Sequence, residues 1–151
     1  MMLHKRTESR KCERFIIPGS TLTLTAKSGL FSKSKYSETS YPVFDLSRGG
    51  LRFLSQDPFK IDTKVSLKIF IPNEGFSLSV RGQIRWRSYN PLIGYRYQIG
   101  VQFNTYGAKK GLNPPEILDK LITLEAEFLG RKQAFLHLYP QAFLGPRHGQ
   151  G

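Results

Sequence analysis

From Phe76 to Arg87 the chain alternates with almost no exception. Phe76, Leu78, Val80, Ile84 and Trp86 share one parity, while Ser77, Ser79, Arg81, Gln83, Arg85 and Arg87 share the other. A period of two fits an extended strand with one buried and one wet face, and it excludes a helix here. Shorter runs repeat the pattern. Leu22, Leu24 and Ala26 alternate with threonines, and Val65, Leu67, Ile69 and Ile71 alternate with Lys64, Ser66, Lys68 and Phe70. Tyr95, Tyr97, Ile99, Val101 and Phe103 share a face in a last strand, and Tyr41–Phe44 and Leu51–Leu54 supply two short ones. Turn residues such as Gly49-Gly50, Asn73-Glu74-Gly75 and Asn90-Pro91 join these segments. The whole predicts a mainly β domain over residues 15–107, an antiparallel barrel or sandwich. Residues 27–39 read as loop, and Gly82, on the apolar parity, marks an expected bulge or bend.

The period changes at Asn113. Asn113 suits an N-cap, Pro114 the first helical position, and Glu116 completes a capping-box-like pattern. Ile117, Leu118, Leu121, Ile122, Leu124, Phe128 and Leu129 form a stripe of helical period, and Gly130 is the expected stop. A helix over 113–130 must bury that stripe, and closing one end of the β domain does so. Residues 131–151 form an apolar and then Gly-rich tail. Its segment from Ala134 to Leu144 fits either packing back onto the domain or docking to a partner or second subunit.

A length of 151 residues with 39% hydrophobic residues supports a single core. Apolar runs fall far short of the roughly 20 residues that span a bilayer, and residues 1–14 hold no signal-like apolar stretch, so a cytoplasmic location is expected. Cys12 is the sole cysteine, which excludes an internal disulfide, and His4, His137 and His148 are scattered. With no metal spacing, Walker loop, nucleophile elbow or paired carboxylates, the chain is read as neither a metalloprotein nor an enzyme. The 23 basic against 11 acidic residues give +12, spread from Lys5 to Arg147. Such a field attracts any anion and selects none.

Selection has to come from placed residues, and two clusters offer it. Arg10-Lys11-Cys12-Glu13-Arg14 sets two guanidiniums at R-x-x-x-R spacing on a flexible arm, residues 1–14. Asp45-Leu46-Ser47-Arg48-Gly49-Gly50 follows as D-x-S-x-x-G. A guanidinium fork matches the O6 and N7 acceptors of guanine, and a carboxylate accepts from its opposite edge. Phosphate oxygens are met by arginines, by the Ser47 hydroxyl and by a backbone that can approach closely at Gly50. Gly50 is expected to need positive φ or close ligand approach, with Gly49 sharing that duty. Each cluster has a plain alternative: isolated arginines are usually solvated, and Asp and Ser often start turns. Trp86 belongs to the core by parity. As a strand-end residue turned outward it would offer a stacking platform, which makes it a secondary ligand candidate.

The pair of motifs, with Ile99-Gly100-Val101-Gln102-Phe103 in the late strand, resembles a PilZ domain, the bacterial receptor module for cyclic di-GMP. The resemblance spans about residues 9–129 and rests on Arg10, Arg14, Asp45, Ser47 and Gly50. It implies a six-stranded antiparallel barrel with a C-terminal helix, and a mobile R-x-x-x-R arm folding over a ligand held outside the barrel. It further implies cyclic di-GMP as ligand, no other cofactor, and a downstream effector protein as partner. Many family members carry a third arginine just before R-x-x-x-R. Ser9 stands there instead, so one or two ligand molecules per domain both fit. Two other classes remain: a ligand-independent adaptor of the same fold, and a basic barrel binding single-stranded nucleic acid. The second ranks last because the exposed strand faces lack a clear aromatic ladder.

Overall fold

The computed structural model describes residues 13–26, 35–36, 39–72, 74–89 and 94–138. Expectations resting on Ser9, Arg10, Cys12, the Asn90-Pro91 turn, most of the 27–39 loop and the tail beyond Leu138 lie outside these residues. The strands are β1 (Thr21–Ala26), β2 (Lys35–Tyr36), β3 (Tyr41–Ser47), β4 (Gly50–Ser55), β5 (Lys64–Ile71), β6 (Phe76–Tyr89) and β7 (Tyr97–Phe103), followed by helix α1 (Pro115–Leu138). Neighbours run β1-β3-β4-β7-β6-β5, and β5 returns to β1 from Thr21 opposite Phe70 to Ala26 opposite Val65. The result is a closed, six-stranded antiparallel barrel. The two-residue β2, inside the expected loop, pairs with β1 outside that ring.

Parity decides what fills the barrel. Val65, Leu67, Ile69 and Ile71 of β5 point inward, as do Leu78, Val80 and Ile84 of β6 and Ile99, Val101 and Phe103 of β7. Each fully buried side chain of this kind contributes about 1.5–3 kcal/mol relative to an exposed one. Tyr41, Phe53 and Phe59 pack as tilted and edge-on rings with centroids 5.3–5.8 Å apart. Leu121, Leu124 and Phe128 of α1 enter the same core, as the helical stripe requires, while Ile122 stays at its exposed rim.

Three local expectations need correction. Gly82 is not a bulge: it pairs in register with Val65 and Phe103, and a Cβ there would lie 2.5 Å from the Gln102 carbonyl oxygen. The register shift of β6 instead falls between Ile84 and Trp86, with a second between Val43 and Asp45 of β3. Asn113 does not cap α1. Strand β7 ends opposite Gly82, leaving Arg81 without a strand partner on that side, and the Asn113 amide takes its place. Arg81 N–H donates to Asn113 Oδ1 at 2.9 Å, and Asn113 Nδ2 donates to the carbonyls of Arg81 and Asn104 at 3.0 Å each. Finally, α1 continues through Gly130 to Leu138. Glycine inside a helix costs about 1 kcal/mol against alanine, and the following Arg131, Lys132, Gln133 and Ala134 are good helix formers that carry the helix on.

Candidate ligand site on the barrel wall

The segment before β1 is fixed by two buried anchors, Phe15 and Ile17. Phe15 N–H donates to the Leu46 carbonyl at 2.8 Å and Leu46 N–H returns the bond at 2.9 Å. This bridge lays the end of the arm beside β3 and brings Arg14 to Asp45, where Arg14 Nη1 donates to Oδ1 at 3.0 Å. Asp45 is buried, and a second arginine holds it more completely. Arg52 Nε donates to Oδ1 at 2.9 Å and to Oδ2 at 3.1 Å, and Arg52 Nη2 also binds Oδ2. The hydrogen bond to Asp45 and the attraction of its charge hold the Arg52 guanidinium above its ordinary pKa, against the opposing effect of burial. Its charged plane lies 4.8 Å from the centre of the Phe44 ring.

Strand register explains why these groups meet. Across β3, β4, β7 and β6, Asp45 stands opposite Arg52, Arg52 opposite Gly100, and Gly100 opposite Trp86. The adjacent outward row runs Ser47, Gly50, Gln102, Gln83. The β6 bulge shifts Trp86 out of the core parity and onto the outer wall, leaving it 38% exposed with its indole lying across Gly100. A Cβ on Gly100 would occupy the indole's space. Glycine is required here so that the ring can lie flat against the strand.

Gly50 owes its identity to another contact. Its φ is not positive, and a Cβ would strike the Val101 carbonyl oxygen of β7. Strand-to-strand approach, not a left-handed backbone, excludes a side chain at Gly50. Gly49 has open space around its Cβ position. Ser47 Oγ accepts from Gly49 N–H and donates to the Gly50 carbonyl, both at 3.3 Å, which shapes the turn. Gly49 is tied to β7 as well, its carbonyl accepting from Phe103 N–H at 2.8 Å.

Between the two rows lies an open depression of about 270 Å³, bordered by Arg14, Ser47, Gly49, Gly50, Trp86 and Gly100. Arg85 reaches its rim while pairing with Asp62 at 3.3 Å. Asp45 does not line it, standing behind Arg14 and Arg52. Of the residues expected from the sequence, Arg14, Ser47, Gly49, Gly50 and Trp86 therefore converge on one place, with Asp45 one contact away. Arg10 lies outside the described residues. Arg52 is not singled out by the sequence, and Gly100 enters there only as part of the late-strand motif, with no role in the site assigned to it. Arg52 was within reach of sequence reasoning: a two-residue turn at Arg48-Gly49 sets Ser47 opposite Gly50, and counting back two pairs sets Asp45 opposite Arg52. Among the described residues, no group of three or more His, Cys, Asp or Glu could hold a metal, and no helix is long and apolar enough to cross a membrane.

Comparison with known proteins agrees with this architecture. The PilZ domain of YcgR from Escherichia coli, a structure with c-di-GMP, superposes with a TM-score of 0.57 at 15% identity, covering 83% of this chain and 96% of that one. Against the longer YcgR chain in complex with c-di-GMP, the TM-score is 0.55 at 16% identity, and the match spans 49% of that chain. MrkH of K. pneumonia aligns with a TM-score of 0.52 at 10% identity, over 76% of this chain and 47% of its own. At these identities the likeness speaks for the fold alone. A search of curated protein sequences finds no match. Residues 8–111 match the PilZ domain as a family, and the chain belongs to it.

Proposed function

We propose that this protein is a cyclic di-GMP receptor acting as an effector rather than an enzyme. The observation that carries the reading is the convergence of Arg14, Ser47, Gly50 and Trp86 on one depression, with Asp45 directly behind Arg14. Trp86 offers a face on which a purine stacks. The Ser47 hydroxyl, whose bonds within the turn are long at 3.3 Å, can turn to a phosphate oxygen, and the open space at Gly49 allows close approach. Arg14, with Arg10 four residues earlier, supplies guanidiniums for phosphate oxygens or for the O6/N7 edge of guanine.

Asp45 already receives three Arg52 contacts and one from Arg14, which uses most of the acceptor capacity of a carboxylate. A guanine that donates to Asp45 therefore displaces Arg14. The exposures suit that exchange: the Arg14 side chain is 47% accessible and Asp45 only 7%. Arg14 swings to the ligand, guanine takes its place on the acid, and the arm orders over both as an order–disorder switch. Ligand must favour the closed arrangement, or nothing shifts. The turn that carries Ser47 also grips α1, since Arg48 Nε donates to Glu125 Oε1 at 2.7 Å. That contact gives the ordering a route to a surface that a downstream effector protein can read.

Isothermal titration of the purified protein with cyclic di-GMP tests the reading. Micromolar or tighter binding is expected, lost in Arg14→Ala and Asp45→Ala and strongly weakened in Arg14→Lys, which keeps the charge without the fork. Undiminished binding in the two alanine variants removes the proposed site.

A further inference from the structure

The outer face of β1, β5 and β6 carries a second set of polar residues, away from Trp86 and Asp45. Register lines up Thr25, Ser66 and Arg81 in one row, and Thr23, Lys68 and Ser79 in the next. Lys64 stands opposite Gln83. The connection from β7 to α1 walls this face, contributing Asn104 and residues 111–114. Two hollows of about 690 and 510 Å³ share Thr25, Ser66 and Arg81, and so form one groove.

Among the described residues, no carboxylate lines either hollow. On the ligand-site side, Arg14, Arg48, Arg52 and Arg85 are all paired with acids. In the groove, the side chains of Lys64, Lys68 and Arg81 make no ion pair or hydrogen bond to any described residue. Arg81 is also held at its backbone by the Asn113 amide, so its charge projects from a fixed point. Cations clustered without counter-charge repel one another, and an anion that spans them relieves this.

The dimensions choose among anions. Lys64 and Lys68 are four residues apart on β5, about 13 Å at strand rise, which is too long for a single phosphate. An extended peptide places same-face carboxylates two residues apart, about 6.8 Å, the spacing of Lys64, Ser66 and Lys68 along the strand. Single-stranded nucleic acid needs aromatic rings for its bases, and among the described residues no aromatic side chain lines the groove. We infer that this groove docks an extended acidic segment of a partner protein, with Lys64, Lys68 and Arg81 meeting its carboxylates and Thr25 and Ser66 donating hydroxyl hydrogen bonds. The inference is independent of the cyclic di-GMP reading.

Fluorescence anisotropy of a labelled octaglutamate peptide with the full chain at low salt tests it. Two variants, Lys68→Gln/Arg81→Gln in the groove and Lys60→Gln/Arg96→Gln outside it, remove the same charge from exposed positions, and thermal melts check that both stay folded. The groove pair should weaken binding about tenfold, and the outside pair less than about threefold. Amide resonances of Ser66 and Arg81 should shift on peptide addition. Equal loss in both variants would reduce the effect to the diffuse field of the whole protein and overturn the inference. No binding by the parent protein, or tighter binding of a length-matched oligothymidylate that the groove pair abolishes, would overturn it too.

Discussion

Asp45 is gripped from two sides, by the barrel wall and by the arm, and the two grips differ in kind. Arg52 comes from the neighbouring strand, its place set by hairpin register, and it binds both carboxylate oxygens. Arg14 comes from the segment before β1, is half exposed, and reaches one oxygen through one nitrogen. The difference separates positioning from exchange. The wall holds the acid in a fixed orientation, while the arm's cation can leave without stranding a buried charge, because Arg52 still neutralises it. A site built so has a permanent floor and a replaceable cover.

The largest effect is expected where the cover is anchored. Phe15 is almost fully buried and carries the backbone bridge to Leu46. Phe15→Ala should cost about 3–5 kcal/mol in denaturant unfolding, the range for emptying an aromatic core position. If the cost is under 1 kcal/mol, the arm is not an integral part of the barrel and the contrast between floor and cover moves inward along the chain. Next come the two arginines themselves. Arg52→Ala leaves a buried carboxylate with a single exposed partner and should lower stability by about 1–3 kcal/mol. Arg14→Ala removes a half-exposed ion pair and should change it by less than about 1 kcal/mol. Equal losses in paired urea titrations would break the asymmetry from which the exchange of Arg14 for guanine is argued.

The same contrast separates what was legible in the sequence from what was not. Strand parity placed the core of β5, β6 and β7 because burial on one face writes itself into every second residue. The stripe of α1 was legible for the same reason. Parity failed where the backbone slips. The bulge after Ile84 turns Trp86 outward, and nothing local announces it, because its position depends on how β6 meets β7 over Gly100. Asn113 misled for a related reason: its side chain serves a strand edge distant in sequence, and capping statistics count only local partners. Of the candidate site, the motif residues could be named from spacing, while Arg52 needed register and Gly100 needed the packing of one ring on one strand.

Trp86 lies on the outside of the barrel and Gly100 beneath it, so Trp86→Ala and Gly100→Ala spare the packed interior, but each gives up the contact of the indole with the wall and should lower the unfolding free energy by about 1–2 kcal/mol. Their effect on ligand is separate and should be as large or larger. Losing a stacking surface costs a base about 1–3 kcal/mol, so Trp86→Ala should weaken cyclic di-GMP binding by about 5- to 150-fold. Gly100→Ala keeps the indole but lifts it off the wall, because the new methyl group takes the space the ring now fills. Affinity should therefore fall although no polar contact is touched. Since Trp86 is the chain's single tryptophan, its fluorescence reports this site alone. Ligand should change the emission of the parent protein, and the response should shrink in Gly100→Ala. An unchanged response and affinity in Gly100→Ala would mean that the indole is no part of the floor, leaving recognition to the arm and the D-x-S-x-x-G turn.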